Sequence, residues 1–319
     1  TDYLTVGENE ICVHATDNEK SGLIPSGKQC YKQDSFGCFY TRTTGIWQTV
    51  WMENVPTSYI KEIKLTPSMK DIKIEIDADT RGFKAIVSDK KGKVAEQCFE
   101  RNIGTISIDN PVLWDVDNPH LYDLKIIAGQ DEIESYFALR TVEIKKIDGV
   151  NRICLNDKPI FMHGLLDQGY FEDGIYLPEK EEEFANDILR VKELGFNMLR
   201  KHIKIEPELF YYECDRLGMV VFQDFVNNGD YSFIRDTALP TIGLLRRSDR
   251  RLHRDAATRA AFVSHIEQTV RHLYNHPCIC YWTIFNEGWG QFCSSDMYAR
   301  LRALDGSRFI DSASGWFAG

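Results

Sequence analysis

The ten residues YWTIFNEGWG (Tyr281–Gly290) hold the strongest chemical signal in the chain. An apolar run of the kind that forms a buried parallel strand ends in an amide, Asn286, and a carboxylate, Glu287, and Gly288 then breaks it. Neither helix capping nor a solvent-facing strand accounts for an acid at this place, which makes Glu287 a candidate proton donor and acceptor. In parallel α/β sheets the functional side chains gather at the carboxyl ends of the strands. Reading those ends in chain order gives His163 with Asp167 and Gln168, then Arg200 with His202, then Asp224, then Asn286 with Glu287. Trp282, Trp289 and Trp316 add aromatic faces. Acids, amides, an arginine and imidazoles on one rim suit a polyhydroxylated ligand, which needs many directional donors and acceptors. Aromatic rings there would stack on the apolar face of a sugar.

Each of these residues also has a plainer role. The histidines would serve equally well by holding a backbone carbonyl, Arg200 as the buried partner of Asp224 or Glu287, Asp224 as a loop cap, and the tryptophans as packing. A different chemistry, that of a metal hydrolase, would use His163 and His202 as ligands. His272 and His276 have i, i+4 spacing, but HLYNH lacks the glutamate of the zinc-protease helix motif and reads as a helix end carrying favourable histidine charge. No Walker loop, no Gly-x-Gly-x-x-Gly after a strand and no Gly-x-Ser-x-Gly elbow occurs. Neither a cofactor nor a metal is implied.

Strands and helices must place these groups. Up to about residue 145 the chain reads as strands, in runs such as EICVHA, IWQTVWME, IKIEID and LYDLKIIA separated by Gly, Pro, Asn and Asp. This is a β-sandwich signal, with one unit over 1–56 and a second over 57–145. A hairpin follows at ICLNDKPIFM, where Asn156-Asp157 suits a tight turn. From 146 to 319 strand and helix alternate. PIFMHGLL leads to a helix over EKEEEFANDILRVKELG, with Phe184, Ile188, Val191 and Leu194 at helical spacing and Gly195 as its stop. FNMLRKH, MVVFQDF and CICYWTIFNE then alternate with helices over 207–218, 256–276 and about 294–304, and SRFIDSAS reads as a fifth strand. Successive βα units favour a parallel sheet, either doubly wound or cut from an eight-stranded barrel.

Composition narrows the classes. At 319 residues with 43% hydrophobic residues, the chain can form more than one packed core. A formal net charge of −10 argues against nucleic acid as a partner, since phosphate binding needs clustered Lys and Arg. The nine cysteines show no paired spacing, so free thiols and a reducing, cytoplasmic setting are expected. No window approaches the length of a membrane span. Oligomeric state is left open.

Several stretches carry a family likeness. TRTTGIWQTVWME (41–53), LNDKPIFMHGLLDQGY (155–170), LGFNMLRKH (194–202), NHPCICYWTIFNEG (275–288) and GSRFIDSASGW (306–316) together resemble glycoside hydrolase family 2, in the right order along essentially the whole chain. The resemblance implies a multidomain β plus α/β protein: a jelly-roll sugar-binding part over 1–56, an immunoglobulin-like sandwich over 57–145, and part of a TIM (β/α)8 barrel over 146–319. It also implies a retaining exo-β-glycosidase acting on a terminal β-linked sugar such as a galactoside or glucuronide, with two carboxylates about 5 to 5.5 Å apart. Glu287 would be the general acid/base, Asn286 would bind the sugar 2-hydroxyl, and Arg200 would orient the carboxylates. Asp167, Gln168, His163, His202, Asp224 and the three tryptophans would line the sugar.

Two departures qualify the resemblance. Gln168 stands near the place where β-galactosidases of the family carry a histidine, so their magnesium-dependent details do not transfer. The nucleophilic glutamate of the family belongs to the seventh strand, whereas this sequence stops about thirty residues past Glu287. The nucleophile is therefore expected outside this chain, and both chain ends are expected to fall inside domains. A noncatalytic carbohydrate-binding protein of the same fold is the alternative.

Overall fold

The computed structural model describes residues 3–18, 21, 23–30, 32–226, 232, 234, 238–243 and 248–314. Its first regular unit contains β1 (Ile60–Pro67), β2 (Asp71–Ala78), β3 (Phe83–Asp89), β4 (Gly92–Phe99), β5 (Ile103–Ser107), β6 (Tyr122–Ala128) and β7 (Asp131–Phe137). They form two antiparallel sheets, β1-β2-β5 and β4-β3-β6-β7. Strand side chains alternate between faces, so Ile72, Ile74 and Ile76 from β2, Phe83, Ala85 and Val87 from β3, and Leu124 and Ile126 from β6 all enter one shared core. β8 (Val142–Ile147), β9 (Val150–Leu155) and β10 (Lys158–Pro159) form a small third sheet. The turn between β9 and β10 is Asn156-Asp157, both at positive φ (52° and 67°), as the sequence predicts for a two-residue hairpin.

The strands expected at EICVHA (10–15) and IWQTVWME (46–53) do not form. Residues 3–18 and 32–56 hold only isolated bridges, and Ile11, Val13, Val50, Trp51 and Met52 are exposed. Period-two alternation marks a strand only where a neighbouring strand accepts its hydrogen bonds and a second layer covers its apolar face. No such neighbour lies beside these stretches among the described residues.

The second unit is a parallel sheet of β11 (Gly164–Asp167), β12 (Met198–Lys201), β13 (Val220–Asp224), β14 (Ile279–Thr283) and β15 (Phe309–Asp311). Its spatial order is the chain order, and every pair is parallel. A doubly wound sheet reverses its order at a switch point, whereas a barrel adds each strand beside the last. This sheet therefore follows barrel topology. Helix α1 (Glu182–Glu193) joins β11 to β12, and α2 (Glu208–Leu217) joins β12 to β13. The single turn α3 (Leu239–Thr241) and helix α4 (Ala256–Leu273) precede β14, and α5 (Ser294–Leu304) leads to β15. Phe184 and Ile188 of α1, Phe210 and Cys214 of α2, Phe262, Ile266 and Val270 of α4, and Met297 and Leu301 of α5 are the buried stripes packed on the sheet. No helix among the described residues is long and apolar enough to cross a membrane, and all nine cysteines are free thiols.

The two units are bolted together at the amino-terminal end of β14. Arg140, fully buried just past β7, donates from Nε to Pro277 O (2.8 Å) and from Nη2 to Ile279 O (2.7 Å). Arg308 reaches the same Ile279 carbonyl from the other side at 2.7 Å, so both lone pairs of that oxygen are used. Beside them Asp215 accepts from the Cys278 backbone N–H (2.7 Å) and the Tyr136 hydroxyl (2.7 Å), and lies 2.7 Å from His276 Nδ1. Burial, with Asp215 adjoining, pushes the Tyr136 phenol far above its ordinary range, so it stays a donor. Gly218 closes the seam: its φ is +75°, and a Cβ there would meet Val116 O at 2.7 Å.

Arg140→Met keeps most of the volume but takes the charged donor from Pro277 O and leaves Ile279 O to Arg308 alone. With hydrogen bonds to charged groups contributing about 1.5–3 kcal/mol each, urea unfolding should show a loss of about 3 kcal/mol or more. A change within about 0.5 kcal/mol, the range of a plain surface substitution, would contradict this account of the junction.

Candidate active site

The tip of β14 is tied to the end of β15. Ile284 N donates to Asp311 O (2.9 Å), Ser314 N donates to Phe285 O (2.9 Å), and Glu287 N donates to Ser314 Oγ (3.2 Å). Trp289 N closes a turn onto Asn286 O at 2.9 Å. Inside this turn Glu287 has φ +51°, a left-handed conformation that costs an L-residue roughly 1–2 kcal/mol. Gly288 continues at +72° without that cost. The turn leaves Asn286 buried and carries the Glu287 side chain into solvent. A strand that buries its other side chains thus ends by presenting one carboxylate.

Arg200, near the end of β12, organises the neighbouring groups. Its Nε lies 3.0 Å from Asp224 Oδ1 and its Nη2 3.0 Å from Oδ2, a two-pronged match between fork and carboxylate. The same Nη2 donates to Asn286 Oδ1 at 2.9 Å, and the Ser314 hydroxyl donates to that oxygen at 3.3 Å. A guanidinium only donates, so the carbonyl oxygen of Asn286 must face it and the amide NH2 points elsewhere. Asn286 is thereby prepared as a hydrogen-bond donor. Asp224 is fully buried and also lies 3.2 Å from His202 Nδ1.

A second charged group stands beside the first. Lys201 Nζ lies 2.7 Å from Asp167 Oδ2 and 2.8 Å from Glu206 Oε1, and Lys204 Nζ lies 2.9 Å from Glu206 Oε2. Lys204 also donates to the carbonyls of Gly169 and Tyr176 (2.6 Å for the latter), which ties down the loop after β11. Burial works against the charge of Lys201, but Asp167 and Glu206 outweigh it and hold its pKa above the ordinary lysine value. For Lys204 burial wins, and the pKa falls to about 8. Gln168 is half-buried in the same loop, with its side-chain oxygen unpartnered among the described residues.

The structure therefore gathers Arg200, His202, Asp224, Asn286 and Glu287 at one end of the sheet, with Asp167 and Gln168 at the same end of the adjoining strand. Two expected members, His163 and Trp282, sit elsewhere. His163 precedes β11 instead of ending it. It is exposed at the opposite end of the strand, 3.3 Å from Gly195 O, with its ring 4.3 Å from that of Phe196. Because β11 runs from Gly164 to Asp167, His163 and His202 lie at opposite ends of the sheet and cannot share a metal. Trp282 is fully buried, donates from Nε1 to Asp305 Oδ2 (2.8 Å) and stacks on Phe225, so it belongs to the core and offers no face to a sugar. Trp289 is nearly buried, with its ring edge-on to Phe39 at 5.6 Å. Trp316 lies outside the described residues.

The sequence reading missed Lys204 and Glu206, although two lysines followed by a glutamate after a strand end are a visible cue. It also missed the wall built by residues 25–30 and 32–48. Tyr40 stacks on Tyr170 at 4.0 Å, Trp47 meets Tyr176 at 4.6 Å, and Gln48 Nε2 donates to Ile205 O at 3.3 Å. No local pattern marks contacts between residues this far apart in the chain.

The lowered pKa of Lys204 gives a signed pH effect. Between about pH 8 and the ordinary value of 10.5 the unfolded chain holds a proton that the folded chain has released, so stability rises with pH. Below pH 8 both states are protonated and the burial cost is present in full. Urea unfolding across this interval should show the wild type gaining stability relative to Lys204→Met. Parallel curves for the two proteins would refute the assignment.

Comparison with known proteins identifies the family. The model of "Glycosyl hydrolases family 2, TIM barrel domain" matches residues 142–317, and that of "Glycosyl hydrolases family 2" matches residues 58–140. A β-galactosidase of Klebsiella pneumoniae (strain 342) is 24% identical, over 98% of this chain and 30% of its own length. A putative β-glucuronidase of Formosa agariphila is also 24% identical, over 90% of this chain and 33% of its own. The chain thus spans about a third of the length of these relatives. Among solved structures, the β-D-glucuronidase of Dictyoglomus thermophilum superposes with a TM-score of 0.66 at 20% identity, covering 80% of this chain and 44% of that one. The matched models, together with a β-rich unit leading into a sequentially ordered parallel sheet, place this chain in glycosyl hydrolases family 2.

Proposed function

We propose that this chain carries the acid/base side of a retaining β-glycosidase site, acting on terminal β-linked sugars such as galactosides or glucuronides. The observation that supports it most is the network joining Arg200, Asp224, Asn286, Ser314 and Glu287 at the carboxyl end of the sheet. Glu287 protonates the departing glycosidic oxygen and later takes a proton from the attacking water. Asn286, its oxygen held by Arg200 and Ser314, donates from its amide to the sugar 2-hydroxyl, an interaction that strengthens toward an oxocarbenium-like transition state. Arg200 fixes Asn286 and neutralises Asp224. Asp167, Gln168 and His202 complete the rim.

In this reading the nucleophilic carboxylate lies outside the 319 residues. Residues 57–145 act as an immunoglobulin-like spacer, residues 1–56 belong to a jelly-roll sugar-binding domain, and 146–319 form part of a barrel. A cytoplasmic setting belongs to the same reading, on the cysteine spacing of the sequence.

Two measurements test the chemistry. The 319-residue chain alone should bind methyl β-glycosides but fail to turn over aryl β-glycosides, and a normal rate would end the missing-nucleophile reading. In a polypeptide that joins this chain to a later-strand carboxylate, Glu287→Gln should lower kcat/KM about 10²–10⁴-fold for alkyl glycosides. Dinitrophenyl glycosides, whose leaving group needs no proton, should lose far less in the glycosylation step. An equal loss for both substrate types would show that Glu287 is not the proton donor.

A further inference from the structure

The wall of residues 25–30 and 32–48 brings a cation to the rim. Gly27, at φ +57°, lies so close to the ends of β12 and β13 that a Cβ would meet Ile203 O at 2.4 Å and Val226 Cγ1 at 3.3 Å. Lys28 follows directly. Its carbonyl accepts from Tyr40 N at 2.9 Å, and Tyr40 is itself stacked on Tyr170 after β11. The backbone of Lys28 is thus anchored to the ends of three strands.

Its ammonium lies 5.5 Å from the ring centre of Trp289 and 5.9 Å from that of Phe39. Trp289 sits two residues beyond Glu287 and closes the same turn. The other cations at the strand ends are matched to acids: Arg200 to Asp224, Lys201 to Asp167 and Glu206, Lys204 to Glu206. Lys28 is half-buried and pairs with no carboxylate among the described residues. In a chain of net charge −10, a cation held on an aromatic ring of the turn that carries the proposed acid, with no counterion among the described residues, is poised for a ligand anion.

We propose that Lys28 is a specificity-determining residue that receives an anionic substituent of the bound sugar, either a uronic carboxylate or a sulfate ester. This inference rests on reading the rim as a glycoside site. Aromatic faces steady the ammonium without neutralising it, so the charge stays available. Neutral sugars would bind through Asn286 and its neighbours without drawing on Lys28.

Calorimetric titration of the 319-residue chain tests this with three probes: methyl β-glucuronide, methyl β-glucoside, and methyl β-glucoside sulfated on its primary hydroxyl. At about 0.05 M salt at least one anionic probe should bind about tenfold or more tightly than the neutral glucoside, and the advantage should shrink at about 0.5 M. Which anionic probe gains distinguishes carboxylate from sulfate. Lys28→Met should abolish the preference and leave the neutral affinity unchanged, while Lys28→Arg should retain most of it. Equal affinity for charged and neutral glycosides in the wild type would overturn the inference and leave the glycoside site standing. Equal weakening of all probes by Lys28→Met would overturn it too, making Lys28 a support for Trp289. If the wild type binds none of the three probes, the glycoside reading falls along with the inference.

Discussion

The fork of Arg200 on Asp224 is the interaction around which the site is arranged. Asp224 is buried, and a carboxylate there without a partner would cost several kcal/mol. The guanidinium offsets that cost with two parallel contacts and has a further donor for Asn286. The orientation of Asn286 therefore follows from the need to neutralise a residue on a different strand. Three successive strands of the sheet are linked by one side chain, and a sheet in chain order makes this geometry available because β12, β13 and β14 are direct neighbours.

Strand β14 is held at both ends by arginines. Below, Arg140 and Arg308 share the Ile279 carbonyl, and above, Arg200 and Ser314 share the Asn286 side-chain oxygen. Between them the strand is buried among Phe225, Ile266 and Leu273. Such a clamped strand can sustain a strained terminus. The left-handed Glu287 persists because the surrounding hydrogen bonds over-determine its turn, and the result is an exposed carboxylate at a defined place.

The βα units of the second half were legible because each carries redundant local signals. For α1, the helical spacing of Phe184, Ile188 and Val191 agrees with the stop at Gly195, and α5 spans Ser294–Leu304 where expected. Strand ends were harder to read. PIFMHGLL is apolar on both sides of His163, so nothing in it says that the paired segment begins after that residue. Trp282 was misplaced for a related reason: a strand buried on both faces loses the alternation that tells core from rim. In the first 56 residues alternation was present, but alternation describes a side-chain pattern and not the neighbour that must pair with it.

The sequence by itself determined the parts list: the acid and amide at the end of an apolar run, the arginine two strands earlier, and the succession of units that makes the sheet parallel. These are local properties, written in spacing and residue type. Only the tertiary structure decided which way Asn286 faces, that Lys201 and Lys204 share Glu206, and that residues 25–30 and 32–48 lie across the strand ends with Tyr40 on Tyr170. Those outcomes depend on charge compensation and packing between residues distant in the chain. Such energies exist only once the strands stand side by side.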